Sequence, residues 1–423
     1  MTGRYMKAIL TLLCVLLCSP AAEAQQYTQH LDIRYDTIPN VAPNLLSLDL
    51  YVPVNRVGPL PVVVYVHGGS WRAGDKARVS LKPEFFTGRG YMFVSVNYRL
   101  SPDPPDTTQP DAVRYPDHPR DVAKAIAWIH DNIHTYGGDK RRIGLTGHSA
   151  GGHIAAVVAS NARFLEEHGI AADIPCVCMY DAAAYNVVRL IALGNAYSFS
   201  IQSAMGNDPA AWEDGSPALQ VRRHPGLGTW ILFSQEAGST LYEEAVLMRD
   251  SLAGAGYAVP HFPLALEHNE INVYVGVQDS ADYRRVLLEN RTVQPSPNAY
   301  TIARAYTDSV GAFFGRCFGG IATNRLEESD QRIPVTLTLH GNAPNPFASS
   351  TTIRYGVARA GFVALTVHDV LGRKIATLVD GWKEPGEYTE RYGSDEYKRS
   401  PGTYLYVLRS GVSILSRTMV VMR

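Results

Sequence analysis

Short apolar runs alternate with segments of helical spacing along the first three quarters of the chain. The clearest run is Leu60–Val66, which is almost continuously apolar and rich in Val, as is typical of a strand buried on both faces of a sheet. The full pattern predicts strands at 44–52, 60–66, 91–97, 142–146, 174–180, 229–234 and 259–266, and helices at 116–136, 152–159, 241–252 and 299–314. This alternation predicts an α/β domain with a doubly wound, mostly parallel sheet covered on both faces, which we place at 25–318.

The pattern changes after residue 318. Segment 319–333 is largely polar and charged and is predicted to be a linker. Beyond it, in 334–423, the chain contains only short alternating runs separated by Gly, Asp or Pro. They predict strands at 351–355, 363–368, 375–379, 388–392, 403–408 and 416–422. We interpret this part as a small all-β sandwich of immunoglobulin type.

The first 24 residues have the pattern of a secretory signal peptide. Arg4 and Lys7 supply the positive charge, 8–18 is apolar, and Ala22-Glu23-Ala24 is a cleavage site of A-x-A type. The apolar run is too short to span a bilayer, so no transmembrane span is predicted. We therefore expect a protein that is secreted or held at the outer cell surface and that passes through the periplasm during export.

Net charge and cysteine content bear on the expected partners and on disulfide bonding. The formal net charge is −1, which gives no general field for nucleic acid, and no nucleic-acid partner is expected. Removal of the signal peptide leaves three cysteines, Cys176, Cys178 and Cys317. Cys176 and Cys178 lie in an apolar run and are interpreted as small buried residues. A bridge from either to Cys317 stays open, but the fold is expected not to depend on disulfides.

The chemistry-bearing stretch is GHSAG, Gly147–Gly151. A strand-type run precedes it and a helix-type run of small residues follows, and strand, sharp turn and helix is the context of a nucleophile elbow. Ser149 is therefore the predicted nucleophile. His67-Gly68-Gly69-Ser70-Trp71 directly follows the run 60–66, so the amides of Gly68, Gly69 and Ala150 are predicted to form the oxyanion hole.

A serine nucleophile also needs a base and an acid. Among thirteen histidines, His268 follows the last predicted sheet strand, where the order serine, acid, histidine places the base. The usual place for the acid is the loop after 229–234, which contains no Asp. Glu236 is the first choice for the acid and Asp181, at the end of the preceding strand, is the alternative. The absence of any acid also stays open.

With these residues in place, the chain resembles the hormone-sensitive-lipase-like branch of the α/β-hydrolases. The similarity rests on 67–76, 117–138, 147–156 and 266–272 and covers roughly 27–318. Within this branch it is most similar to carboxylesterases that include bifunctional feruloyl and acetyl-xylan esterases and kynurenine formamidase. The resemblance implies Ser149 as nucleophile, His268 as base, and oxyanion donors at the three positions named above. The family's aspartate falls where this chain has Gly238-Ser239.

A second resemblance concerns the C-terminal part. Segments 345–347, 351–355, 368–373 and 402–406 are similar to the C-terminal sorting domain of the type IX secretion system. This implies that 334–423 is recognised by secretion machinery and passes through the outer membrane with the rest of the chain.

The resulting prediction is a secreted serine hydrolase that cleaves carboxylic esters through an acyl-enzyme. Its substrate is expected to be a small-molecule or polysaccharide-linked ester, and no metal or organic cofactor is implied. Segment 185–222 is expected to cover the site. Two alternatives stay open: a serine peptidase of the same fold, and a non-catalytic binding protein on a hydrolase scaffold that lacks the usual Asp.

Overall fold

The structure is a computed structural model that describes residues 27–422, apart from 55–56, 110, 171–173, 222–225, 258, 320–336, 358–360, 370–372, 384–385, 394–399 and 411–412. The predicted signal peptide and all of the predicted linker except Gly319 lie outside the described residues. Gly319 itself ends a long helix.

An eight-stranded sheet organises the larger part of the chain. Its strands are β1 (Tyr27–Arg34), β2 (Ser47–Pro53), β3 (Leu60–Val66), β4 (Met92–Val96), β5 (Gly138–His148), β6 (Cys176–Tyr180), β7 (Thr229–Gln235) and β8 (His261–Leu264). The spatial order is β1-β2-β4-β3-β5-β6-β7-β8; β2 pairs antiparallel with β1 and β4, and all other pairs are parallel. The predicted mostly parallel sheet is confirmed. The pattern missed β1, because nearly all of this edge strand is exposed and its polar residues do not alternate cleanly with apolar ones.

Twelve α-helices are found among the described residues. They are α1 (Lys82–Thr87), α2 (Asp117–Asn132), α3 (Ser149–Ser160), α4 (Arg163–Glu166), α5 (Val187–Ala192), α6 (Ala196–Met205), α7 (Pro209–Asp214), α8 (Pro217–Gln220), α9 (Thr240–Gly254), α10 (His268–Val273), α11 (Ser280–Glu289) and α12 (Ala299–Gly319). Two 3-10 helices lie at Pro43–Leu46 and Ile133–Tyr136. None of the helices in the described part of the chain is both long and apolar enough to cross a membrane.

Strand β3 explains why the central strands are apolar without interruption. Val62 and Val64 point into a core that also contains residues of α2 and α3, whereas Val63 and Tyr65 point into a second core that contains residues of α1 and α12. Successive side chains of a strand face opposite sides of the sheet, so a strand covered by helices on both faces needs apolar residues at every position. The sheet therefore holds its loops on a rigid, doubly covered support.

One disulfide joins the sheet to the long helix α12. Cys176 in β6 is bonded to Cys317 in α12, across 141 positions of the chain, while Cys178 is buried and free. Of the two bridges to Cys317 that the sequence left open, the one from Cys176 is therefore present, which opposes the expectation of a fold independent of disulfides. The pairing could not be predicted because it depends on α12 packing against the sheet beside β6.

The C-terminal part is all-β in the described residues. Its strands are β9 (Thr338–Leu339), β10 (Ser350–Val357), β11 (Gly361–Asp369), β12 (Lys374–Lys383), β13 (Gly386–Gly393), β14 (Gly402–Ser410) and β15 (Ser413–Val421). They form two antiparallel sheets, ordered β13-β10-β9 and β12-β11-β14-β15, and side chains of both contribute to one hydrophobic core. This arrangement is compatible with a β-sandwich; the immunoglobulin type stays a prediction.

Candidate active site

Ser149 lies at a sharp turn between β5 and α3. Its φ of 54° is in the left-handed region, which a non-glycine residue adopts rarely and at a cost that the surrounding structure must offset. The flanking glycines are required by close contacts: a Cβ on Gly147 would lie 2.5 Å from the Gly151 carbonyl oxygen, and one on Gly151 would lie 2.2 Å from the Val66 and His67 carbonyl oxygens. The predicted strand, turn and helix are present, with the serine at the N-terminus of the helix.

The glycines of the loop after β3 bring backbone against the serine. A Cβ on Gly68 would lie 3.0 Å from the Ser149 Cβ, and one on Gly69 would lie 2.0 Å from the Ala73 carbonyl oxygen, so neither position has space for a side chain. Ala150 is fully buried at the start of α3. Gly68 thus packs against Ser149 from the loop after β3, and Ala150 follows Ser149 at the start of α3, beside the positive end of a helix dipole.

The same loop is fastened to the elbow helix by two side chains. Trp71 Nε1 donates to His153 Nδ1 over 3.2 Å, and His153 Nε2 donates to the Gly215 carbonyl oxygen over 2.8 Å. Burial lowers the pKa of His153 to about 4, so the ring is neutral and keeps one donor and one acceptor. On the other side, the Tyr98 hydroxyl donates to the His67 carbonyl oxygen over 3.0 Å.

His268, the predicted base, is the first residue of α10 and is in contact with Asp181. The His268 Nδ1 and Asp181 Oδ2 atoms are 2.6 Å apart. The side chain of Asp181 is fully buried, and its other oxygen accepts from the Gln235 amide over 3.0 Å. Because Nδ1 faces a carboxylate oxygen, it carries the proton of the neutral ring and leaves Nε2 as an acceptor.

Glu236 is placed differently from the first choice made from the sequence. It is exposed on the loop after β7 and lines a separate depression together with Glu267. The carboxylate that contacts the imidazole belongs to Asp181, so the geometry favours Asp181 over Glu236 as the acid. Strand β7 lies between β6 and the last strand, so the strand order alone would not favour the residue after β6. Asp181 nevertheless contacts His268, because its buried carboxylate is held at the end of β7 by the Gln235 amide, whereas the Glu236 side chain is exposed.

The sequence did not predict the part played by His148. Its Nε2 donates to the His268 carbonyl oxygen over 2.9 Å, and the two ring centroids are 4.4 Å apart. Burial lowers the pKa of His148 well below its ordinary value, and the neighbouring His268 lowers it further, which keeps the ring neutral. His148 therefore holds the backbone of the predicted base. The only signal for this was its place inside the elbow motif.

Lys82, Tyr65 and Asn272 form a second set of contacts at the candidate site. Lys82 Nζ donates to the Asn272 carbonyl oxygen over 2.8 Å and lies 4.9 Å from the centre of the Tyr65 ring, whose hydroxyl donates to Asn272 Oδ1 over 2.8 Å. This set fixes the C-terminal half of α10, whose first residue is His268. Nothing in the sequence around Lys82 indicated this contact.

Ser149 and His268 line one cavity of about 280 Å³, together with residues of the loop after β3 and of α10. Tyr65 and His148 also line the cavity. Segment 185–222 was expected to cover the site, but none of its described residues, 185–221, lines this cavity. Among the described residues, no group of three or more His, Cys, Asp or Glu side chains could hold a metal ion.

Comparison with known proteins locates the similarity around the elbow. The family model BD-FAE matches residues 48–174, which include the glycine loop and Ser149 but end before Asp181 and His268. A probable isoprenylcysteine alpha-carbonyl methylesterase of Oryza sativa subsp. japonica is 41% identical over 109 residues, covering 26% of this chain and 24% of its own length. A carboxylesterase of Mycobacterium tuberculosis is 40% identical over 105 residues, covering 25% of this chain and 30% of its own length.

A solved structure carries the similarity beyond this segment. A truncated form of a carbohydrate esterase from gut microbiota aligns over 70% of this chain and 98% of its own length, with a TM-score of 0.50 and 15% sequence identity. At this identity the likeness establishes the α/β-hydrolase fold alone. The chain spans only about a quarter of the length of the curated relatives named above.

Proposed function

We propose that the chain is a serine hydrolase that cleaves carboxylic esters through an acyl-enzyme on Ser149. The observation that carries the proposal is the contact between His268 Nδ1 and Asp181 Oδ2, made by a histidine that lines the same cavity as the strained serine. A buried carboxylate, an imidazole and a serine at an elbow are the groups that acyl transfer requires.

In the proposed reaction, His268 Nε2 takes the Ser149 hydroxyl proton as the oxygen attacks the ester carbonyl. The amides of Gly68, Gly69 and Ala150 donate to the oxyanion, and the imidazolium returns its proton to the leaving alcohol. A water molecule then attacks the acyl-enzyme by the same route in reverse and releases the acid. The Asp181 carboxylate holds the ring and stabilises its charged form.

Two observations support ester hydrolysis over the alternatives. The relatives that match the region of the elbow are carboxylic ester hydrolases by name, which supports esters rather than peptides as substrates. The alternative of a non-catalytic scaffold depended on the missing aspartate near Gly238-Ser239, and Asp181 supplies a carboxylate from the neighbouring strand end.

The direct test is hydrolysis of p-nitrophenyl acetate by the purified chain. We expect turnover by the unmodified protein and loss of at least a thousandfold in kcat for Ser149→Ala, with a similar loss for His268→Ala. Equal rates for the unmodified protein and Ser149→Ala would refute the proposal. Folding of the variants is checked by their far-UV circular dichroism spectra.

We further propose that the protein is exported. Two features support this proposal. Residues 1–24 have the pattern of a signal peptide, and segments within 334–423 are similar in sequence to a sorting domain. The described residues of 334–423 form two antiparallel sheets. An exported esterase meets small esters or esters on polysaccharides outside the cell. In a bacterium with type IX secretion, the full chain should reach the medium or the outer surface, and a chain ending at residue 333 should stay in the periplasm. Equal export of both would refute the assignment.

A further inference from the structure

The cavity contains an arginine that the proposed reaction does not use. Arg78 is exposed and lines the cavity beside Ser149 and His268. Within the described part of the chain its guanidinium has no ion pair and no hydrogen bond. By contrast, Arg72 on the same loop is 2.8 Å from the carboxylate of Asp103. Arg78 therefore keeps all of its donors for a ligand.

Among the described residues that line the cavity, the one carboxylate already accepts hydrogen bonds from other groups. Asp75 accepts hydrogen bonds from the Ala77 amide over 2.8 Å, from Asn44 Nδ2 over 2.8 Å and from Asn97 Nδ2 over 3.2 Å. Partial burial acts to raise the pKa of Asp75, but these hydrogen bonds and the charge of Lys76 outweigh it and lower the pKa overall. Asp75 thus serves to shape the loop.

The charge of Arg78 acts inside the cavity. Burial lowers the pKa of His67, which lines the same cavity, and Arg78 adds to that lowering against the opposing effects of the Gly68 carbonyl and Asp75. Asn272 lines the cavity as well; its Oδ1 accepts from Tyr65, which leaves its Nδ2 group for a ligand. The cavity thus presents a guanidinium and an amide group as hydrogen-bond donors.

We propose that this cavity binds a carboxylate carried by the ester substrate, with Arg78 as the residue that determines this specificity. A guanidinium matches a carboxylate through two parallel N–H···O bonds, which gives direction as well as charge. The preferred substrates are then esters of dicarboxylic acids or esters of alcohols that carry an acid group. This inference rests on the proposed ester hydrolysis.

Two matched substrate pairs test the proposal. Mono-p-nitrophenyl succinate against p-nitrophenyl butyrate places the carboxylate on the acyl side, and 4-acetoxybenzoate against 4-acetoxybenzamide places it on the leaving group. For at least one pair, Arg78→Gln should lower kcat/KM of the anionic ester about fivefold or more and change the neutral ester less than twofold, as fits a partly exposed ion pair. Arg78→Lys, which keeps the charge without the fork, should fall between.

Arg141→Gln is the control, because it removes the same positive charge. Arg141 lies in the N-terminal part of β5, away from the end that carries Ser149, and its side chain is 85% exposed. It should change neither ester of either pair. If Arg78→Gln altered the anionic and neutral esters of both pairs by the same factor, the proposal would be overturned. Turnover of the neutral esters, and its loss in Ser149→Ala, tests the proposed function separately.

Discussion

The sequence offered two carboxylates, Asp181 and Glu236, as the acid that orients His268. They differ in burial and in hydrogen bonding. Asp181 is fully buried, with one oxygen at His268 and the other at the Gln235 amide. Glu236 is exposed, and fixing its longer side chain against an imidazole would cost rotamer entropy. A buried, doubly hydrogen-bonded carboxylate is suited to orienting a base.

We predict that Asp181→Asn lowers kcat for p-nitrophenyl acetate by roughly three to four orders of magnitude, because a carboxamide favours the wrong tautomer of His268. Glu236→Gln removes a charge of the same sign from the exposed loop and should change kcat by less than about twofold. A larger effect of Glu236→Gln than of Asp181→Asn would indicate that Glu236, and not Asp181, is the acid.

Lys82 is a buried cation without a carboxylate partner among the described residues. Its side chain is inaccessible, and burial lowers its pKa from 10.5 to about 7. Below pH 7 the folded protein must therefore hold an unfavourable buried charge. Between about pH 7 and 10.5 the unfolded chain binds a proton at this lysine that the folded chain does not, so stability rises with pH across this window.

We predict that the unfolding free energy of the unmodified protein rises relative to Lys82→Met by up to about 1.4 kcal/mol per pH unit between pH 7 and 9.5. The lost hydrogen bond to Asn272 adds an offset that does not depend on pH. Urea denaturation of both proteins at pH 7.0, 8.0 and 9.5 measures the difference. A difference that stays constant across this range would mean that Lys82 keeps its charge in the folded state.

At the scale of elements, the contact between the loop after β3 and the start of α3 decides the site. Gly151 is a helical residue, and a helix interior normally favours Ala over Gly by about 1 kcal/mol. Here a Cβ would lie 2.2 Å from the carbonyl oxygens of Val66 and His67, which form the end of β3 and the start of the loop after it. Close packing of backbone against backbone therefore overrides helix propensity at this position.

We predict that Gly151→Ala lowers the unfolding free energy by about 1–3 kcal/mol or more and reduces esterase activity, since β3 and α3 must separate. Gly315→Ala in α12 is the matched control: the added Cβ would have its nearest neighbour at 3.9 Å, so this change should be neutral or slightly stabilising. Thermal unfolding of the two variants measures the contrast. A stabilising Gly151→Ala would contradict the packing described.

Local motifs predicted the parts of the site that local geometry builds. The elbow around Ser149 and the loop at Gly68 were found because turn, close approach and helix start are properties of a few consecutive residues. The sequence placed Glu236 ahead of Asp181, because which of the two carboxylates contacts His268 depends on side chains from separate strand ends and not on a few consecutive residues. Likewise β1 was missed, since its edge position leaves no alternation to detect.

At the scale of the whole molecule, the disulfide ties the last helix to the middle of the sheet. Cys176 and Cys317 are separated by 141 positions, and a crosslink over so long a loop restricts the unfolded chain strongly. An oxidised bond of this kind fits a protein made for an oxidising compartment, which is the setting of the proposed export.

We predict that replacing both Cys176 and Cys317 by Ala lowers the unfolding free energy by about 2–5 kcal/mol, because the unfolded state gains conformational freedom. Cys178→Ala, a change of a buried free cysteine on the same strand, should cost about 1 kcal/mol. Guanidinium denaturation under non-reducing conditions compares them. Equal stability of the double variant and the unmodified protein would mean that the bridge adds nothing to the fold.

The most direct measurement of the central claim is intact-protein mass spectrometry after reaction with a fluorophosphonate ester. We predict addition of one phosphonyl group, mapped by peptide analysis to Ser149, no addition to Ser149→Ala, and much slower addition to His268→Ala and Asp181→Asn. Labelling of Ser149→Ala at the same rate, or addition at another residue of the unmodified protein, would contradict it.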